Sequence, residues 1–185
     1  MDDSHATPKV YPKKAKPIVP ADMIKKMLGD AGWTSEVIQS SKLLKWRFLG
    51  TLLLLPVQLV QYLDTVEDYE VKRSQLVEAY LTALPNTTTI FAYETVIKGE
   101  LREPSIRLLH GTDTTSIHTE NGIKFKIDAS KVMYAAGNGT ERIRFAKMSA
   151  KDELVIDMFS GIGYFTLPLS KHGKPKQLIA LEKNP

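Results

Sequence analysis

Asp157 lies near the end of the apolar run Leu154-Val155-Ile156-Asp157-Met158-Phe159, and Ser160-Gly161-Ile162-Gly163 follows directly. Such a run predicts a buried strand. Glycines after it let the backbone pass close to a ligand while the chain turns into a helix. Amides at the helix start then face that ligand. A second apolar run, Leu178-Ile179-Ala180-Leu181, ends in Glu182, 19 residues beyond Gly163. At a strand end a carboxylate can accept hydrogen bonds from both hydroxyls of an adenosine ribose. The third glycine of the dinucleotide fingerprint would fall at Thr166, and that departure argues against NAD or FAD. Gly-x-Gly alone is equally a tight turn with no ligand; strand, helix and Glu182 in register favour a nucleoside.

Other chemistry is less well supported. His5, His110, His118 and His172 have no metal-ligand spacing and no neighbouring acidic cluster, so each reads as an ordinary histidine and no metal is expected. Ser160 lacks the G-x-S-x-G surroundings of a nucleophile elbow. Tyr164 and Phe165 face either a ligand or a helix core, and Arg144 either an RNA phosphate or water. Zero cysteines exclude disulfides, thiolate metal sites and a cysteine nucleophile, in keeping with a reducing, cytoplasmic setting. The first residues, Met-Asp-Asp-Ser-His, show no secretory signal. The longest apolar run, Leu52 to Val57, is far short of the roughly 20 residues that a membrane span needs.

These residues need elements to position them. With 185 residues, 43% apolar and 25% charged, the chain has the composition of an ordinary globular protein. Residues 1–20 carry Pro8, Pro12, Pro17 and Pro20 among four lysines, which predicts a disordered basic arm. Residues 1–50 hold nine Lys/Arg against five acids, so the whole net charge of +4 sits there, and a polyanionic partner is one reading of it.

Residues 21–130 read as a small α+β domain. Met23, Ile24, Met27, Leu28 and Ala31 recur at helical spacing before Gly32, and a second helix is expected from Ser35 to Leu44. Thr51 to Leu55 reads as a strand closed by Pro56, and Leu76, Tyr80 and Leu84 mark a helix ended by Pro85. Strands are expected over 88–93, 106–109, 116–119 and 123–127, the last two joined by Glu120-Asn121-Gly122, a hairpin signal. Residues 131–185 then read as a helix from Glu141 to Met148 followed by β-α-β, its helix spanning Tyr164 to Lys171. That is the opening of a doubly wound sheet. The chain stops at Pro185, so this second domain is expected to be incomplete and the chain alone inactive.

An acidic residue, Gly-x-Gly and a second acidic residue after the next strand are similar to the nucleoside-binding pattern of class I S-adenosylmethionine (SAM) transferases. The wording narrows this. Asp157-Met158-Phe159-Ser160-Gly161-Ile162-Gly163-Tyr164-Phe165-Thr166-Leu167-Pro168 and Glu182-Lys183-Asn184-Pro185 resemble the tRNA position-37 transferases. Glu120-Asn121-Gly122-Ile123-Lys124-Phe125 and Met133-Tyr134-Ala135-Ala136-Gly137-Asn138-Gly139-Thr140-Glu141-Arg142-Ile143-Arg144 resemble that family's wybutosine-synthesizing branch. There E/D-N-G-I precedes M-F-S-x-G-N-x-T-E-K/R-x-R. Trp46-Arg47-Phe48-Leu49-Gly50 through Leu55-Pro56 is similar to the family's small domain.

The resemblance implies an α+β RNA-positioning domain and a Rossmann-like class I SAM-transferase domain. It implies transfer of the 3-amino-3-carboxypropyl group of SAM to 4-demethylwyosine at position 37, in the anticodon loop of phenylalanine tRNA. Asp157, Phe159, Gly161 and Gly163 would shape the cofactor floor, Glu182 would bind the ribose, and Arg142 matches a basic cofactor-contact position. Ala135 stands where the branch commonly has serine. No catalytic acid or base is assigned, because a neutral thioether leaves readily and in-line geometry supplies much of the rate. Guanine-37 N1-methyl transfer and a non-catalytic tRNA-binding fragment are the alternatives.

Overall fold

A computed structural model describes residues 19–40, 45–94, 104–134 and 138–183. The arm expected over residues 1–20 lies outside the described residues except for Val19 and Pro20, and Ala135 lies outside them too.

Helix α1 (Pro20–Asp30) opens on a proline, whose fixed φ suits a first helical turn and whose missing amide costs nothing there. Ile24 and Leu28 are its buried face. Helix α2 (Ser35–Gln39) is shorter than expected, because Ser40 already has extended backbone. Strands β1 (Arg47–Leu49) and β2 (Leu52–Leu55) pair antiparallel. β3 (Thr89–Tyr93) pairs parallel with β2, and β4 (Ile106–His110) antiparallel with β3, giving the order β1-β2-β3-β4.

A parallel pair needs a crossover connection. Helices α3 (Val57–Leu63) and α4 (Tyr69–Ala83) supply it. Pro56 closes the expected strand but also precedes α3, a helix the sequence expectations do not include, although Leu59, Val60 and Leu63 follow at helical spacing and are buried.

The strands alternate, so the sheet has two apolar faces. Leu53, Leu55, Ile90 and Ala92 point toward α1, α3 and α4 in one core with Ile24, Leu28, Leu76 and Tyr80. Leu49, Leu52 and Phe91 point the other way and are covered by Phe125 and Ile127 of a hairpin. That hairpin is β5 (Thr115–Glu120) and β6 (Ile123–Asp128), with His118 opposite Phe125 and Glu120 opposite Ile123. Its turn residues Asn121 and Gly122 have φ of 50° and 73°, the pair of positive values that a two-residue hairpin turn requires.

Helix α5 (Gly139–Lys147) precedes a parallel pair, β7 (Leu154–Asp157) and β8 (Gln177–Ala180). The connection between them departs from the expected helix over Tyr164–Lys171. Helix α6 covers only Thr166–Pro168 and widens into π-type turns over Leu169–Gly173. Pro168 explains the late start: it has no amide to donate toward Tyr164 and is tolerated only within a first turn. The β-α-β order expected from the sequence is present, but the burial expected of its strands is not. Leu154, Ile156 and Ile179 share one face of the two-stranded sheet and are 60%, 54% and 37% exposed. Two strands with one short helix give that face no second layer. Among the described residues no helix is long and apolar enough to cross a membrane.

Candidate nucleoside-binding site

The parallel pairing brings the two ends of the motif together. Asp157 is opposite Ala180, and beyond the strands Leu181 N donates to Asp157 O at 2.8 Å while Ser160 N donates to Leu181 O at 3.0 Å. This lays the glycine turn beside Glu182. Glu182 Oε2 accepts from Gly161 N at 2.7 Å, and Oε1 accepts from Lys183 N at 2.9 Å. A carboxylate with both oxygens set by backbone amides at a strand end is oriented rather than merely nearby.

The two glycines are required for different reasons. Gly163 has φ +88°, and a Cβ on it would lie 2.8 Å from Leu167 Cγ, so it lets the turn close onto its own helix. Gly161 has φ +51°, and a Cβ there would meet nothing within 4 Å. Its open side is where a ligand can approach the backbone. Phe159, 86% exposed, stands at the same mouth. Asp157 works inside the turn: Thr166 Oγ1 donates to Oδ2 at 2.5 Å, and Phe159 N approaches Oδ1 at 3.4 Å. Thr166 therefore ties the start of α6 to the end of β7. Thr166, a departure from the dinucleotide fingerprint, is thus a structural tie in this turn.

Asp157, Phe159, Gly161, Gly163 and Glu182 thus gather in one turn. Arg142, the sixth expected site residue, stands behind it and is only 3% exposed. Its Nε donates to Glu120 Oε1 at 2.7 Å, and its guanidinium carbon lies 4.8 Å from the Tyr164 ring centroid and 5.6 Å from that of Tyr134. Burial opposes the charge on Arg142, but the hydrogen bond and attraction of Glu120 outweigh it and hold the guanidinium pKa above its ordinary value. Tyr134 OH completes the cluster at 3.0 Å from His118 Nε2 and 3.4 Å from Glu120 Oε2. Burial, followed by the negative charge of Glu120, raises the Tyr134 phenol.

Sequence reasoning missed Glu120 as a partner of Arg142. A signal was available: His118 and Glu120 share the face of β5 that Phe125 turns inward, so two polar groups point into an apolar layer. Phe165 packs tilted against Phe145 at 4.6 Å, which is the helix-core reading, and Arg144 pairs with Glu141 on an exposed helix face. Among the described residues no three His, Asp or Glu gather to hold a metal.

Residues 116–185 match the TRM5/TYW2 methyltransferase domain. The chain is 41% identical over 141 residues to the tRNA(Phe) (4-demethylwyosine(37)-C(7)) aminocarboxypropyltransferase of Pyrococcus horikoshii, a match over 76% of this chain and 47% of that protein. It is similar to the crystal structure of P. horikoshii TYW2 in complex with MeSAdo, with TM-score 0.63 and 33% identity over 89% of this chain and 54% of that one. The complex structure of aTrm5 and tRNALeu gives TM-score 0.68 at 26% identity, over 94% of this chain and 49% of that one. The chain spans about half the length of these TRM5/TYW2 relatives.

Proposed function

We propose that this sequence belongs to an aminocarboxypropyltransferase that uses SAM to modify 4-demethylwyosine at position 37 in the anticodon loop of phenylalanine tRNA. The observation that carries the reading is the oriented Glu182 carboxylate beside the open Gly161 backbone, in a chain 41% identical to the P. horikoshii enzyme. The residues fit a SAM nucleoside on their own chemistry. Gly161 leaves room for a ligand against the backbone, and Glu182 offers two acceptor oxygens suited to a ribose diol. When bound, SAM supplies a sulfonium whose carbon substituents are open to attack.

The chain's own residues then bind and orient. Glu182 takes the ribose hydroxyls, Phe159 covers an apolar edge of the nucleoside, and Asp157 with Thr166 holds the turn in shape. No residue here needs to move a proton for the leaving group, which departs neutral. We assign residues 21–130 to tRNA positioning, residues 131–185 to the cofactor, and the basic arm of residues 1–20 to phosphate contact, which released counterions favour. A cytoplasmic location goes with a tRNA substrate.

The second reading is methyl transfer to N1 of guanine 37, favoured by the fold likeness to aTrm5. Product mass decides. Protein carrying this sequence at its relatives' full length is incubated with SAM and hypomodified tRNA, which is then digested for mass spectrometry. The expected result is an added aminocarboxypropyl group with methylthioadenosine released. Methylguanine with S-adenosylhomocysteine would reverse the choice, and no turnover would leave a tRNA-binding module.

A further inference from the structure

Glu120 has no part in the ribose chemistry above, yet it holds a buried charge against the glycine turn. Its side chain, 18% exposed at the end of β5, anchors Arg142 through the 2.7 Å bond. The Arg142 guanidinium carbon lies over the ring of Tyr164, which follows Gly163 directly and also meets Phe125 at 5.8 Å. Removing the carboxylate deletes the 2.7 Å ionic hydrogen bond that sets the guanidinium over the Tyr164 ring.

The same hairpin grips the far end of the segment. Lys171 Nζ donates to Gly122 O at 2.6 Å, and His172 Nε2 donates to Asn121 O at 3.0 Å. The hairpin therefore touches the segment at Tyr164 and again at Lys171 and His172. Immediately before Tyr164 lie two positive-φ positions, Gly161 and Gly163, the residue type freest to leave its native backbone conformation.

We propose that Glu120 is a positioning residue: through Arg142 and the Tyr164 ring it keeps the Gly161–Gly163 turn in the shape that receives the cofactor. The hairpin is then a wall of the cofactor site as well as a layer over the sheet. This rests on the SAM reading of the turn.

The test uses Glu120→Gln and Arg142→Met, singly and together, in protein carrying this sequence at its relatives' full length. Two quantities are read at a temperature where all variants are folded: hydrogen exchange of the Gly161 and Gly163 amides, and SAM affinity by calorimetry. Glu120→Gln should speed exchange at both amides and weaken SAM by about tenfold. At the glycine turn the double variant should be no worse than Arg142→Met, because Arg142 carries the influence of Glu120 to Tyr164. A Glu120→Gln chain that melts lower but keeps wild-type turn exchange and affinity would overturn the proposal, as would additive effects in the double variant. If Glu120→Gln does not fold, Glu120→Asp replaces it, retaining the charge while shortening its reach. If the unmodified full-length protein does not bind SAM, the functional reading falls, and amide exchange still decides the role of Glu120.

Discussion

Thr166→Val keeps the shape of the side chain and deletes one hydroxyl. That hydroxyl donates to Asp157 Oδ2 at 2.5 Å and joins the start of α6 to the end of β7. Hydrogen bonds to a charged acceptor contribute about 1.5–3 kcal/mol net. Both partners are half-buried, so water can reach the vacated oxygen and the lower end, about 1.5 kcal/mol, applies. For a chain of this size, about 2–4 °C per kcal/mol converts that into a melting point lowered by roughly 3–6 °C. Thr166→Ser retains the hydroxyl and should melt close to the unmodified chain. The assay is thermal unfolding followed by circular dichroism at neutral pH, with a urea titration as an independent measure. A Val variant that melts with the unmodified chain, or a Ser variant that melts as low as Val, would refute the argument.

In protein carrying this sequence at its relatives' full length, Glu182→Ala should weaken SAM by roughly tenfold or more, since charge-assisted bonds to the ribose are lost; unchanged affinity by calorimetry removes the assignment. Gly163→Ala should cost about 1–3 kcal/mol, because the new Cβ meets Leu167 Cγ at 2.8 Å on top of an unfavourable φ. Gly161→Ala carries only the backbone cost, about 1–2 kcal/mol, and chemical denaturation should rank the two in that order. Asp128 is held below its ordinary range chiefly by the Ser130 hydroxyl, with Thr114 adding to it. Its folded pKa is depressed, so its stabilisation is complete above about pH 4 and is lost as pH falls through the lower folded value. Asp128→Asn should flatten that part of the acid limb in denaturant midpoints measured against pH, and parallel curves would contradict the assignment.

What could be read from the sequence was local. Asn121-Gly122 specifies its own turn, Pro85 ends α4 within two residues, and the Gly-x-Gly turn needs only its own backbone. The gathering of Asp157, Gly161 and Glu182 followed from strand length and parallel pairing. Other features depend on contacts across the fold. Arg142 and Glu120 are 22 residues apart and meet only because the hairpin lies over the sheet. Periodicity marked Leu154 and Ile156 as strand residues, but burial depends on a second layer that strand pattern does not specify. α3 was hidden because Pro56, a sound strand terminator, is also a good residue to precede a helix.

The hairpin's place on the second face of the sheet also sets an order of events during synthesis. β1 to β4 are complete once His110 has been added, and by then α1, α3 and α4 can close the first face. The second face waits for Phe125 and Ile127. Until those residues leave the ribosome, Leu49, Leu52 and Phe91 confront water on a nascent half-finished sandwich. Exposed apolar surface on a growing chain promotes aggregation and draws chaperones. Translation through this short stretch therefore governs how long the four-stranded sheet stays adhesive.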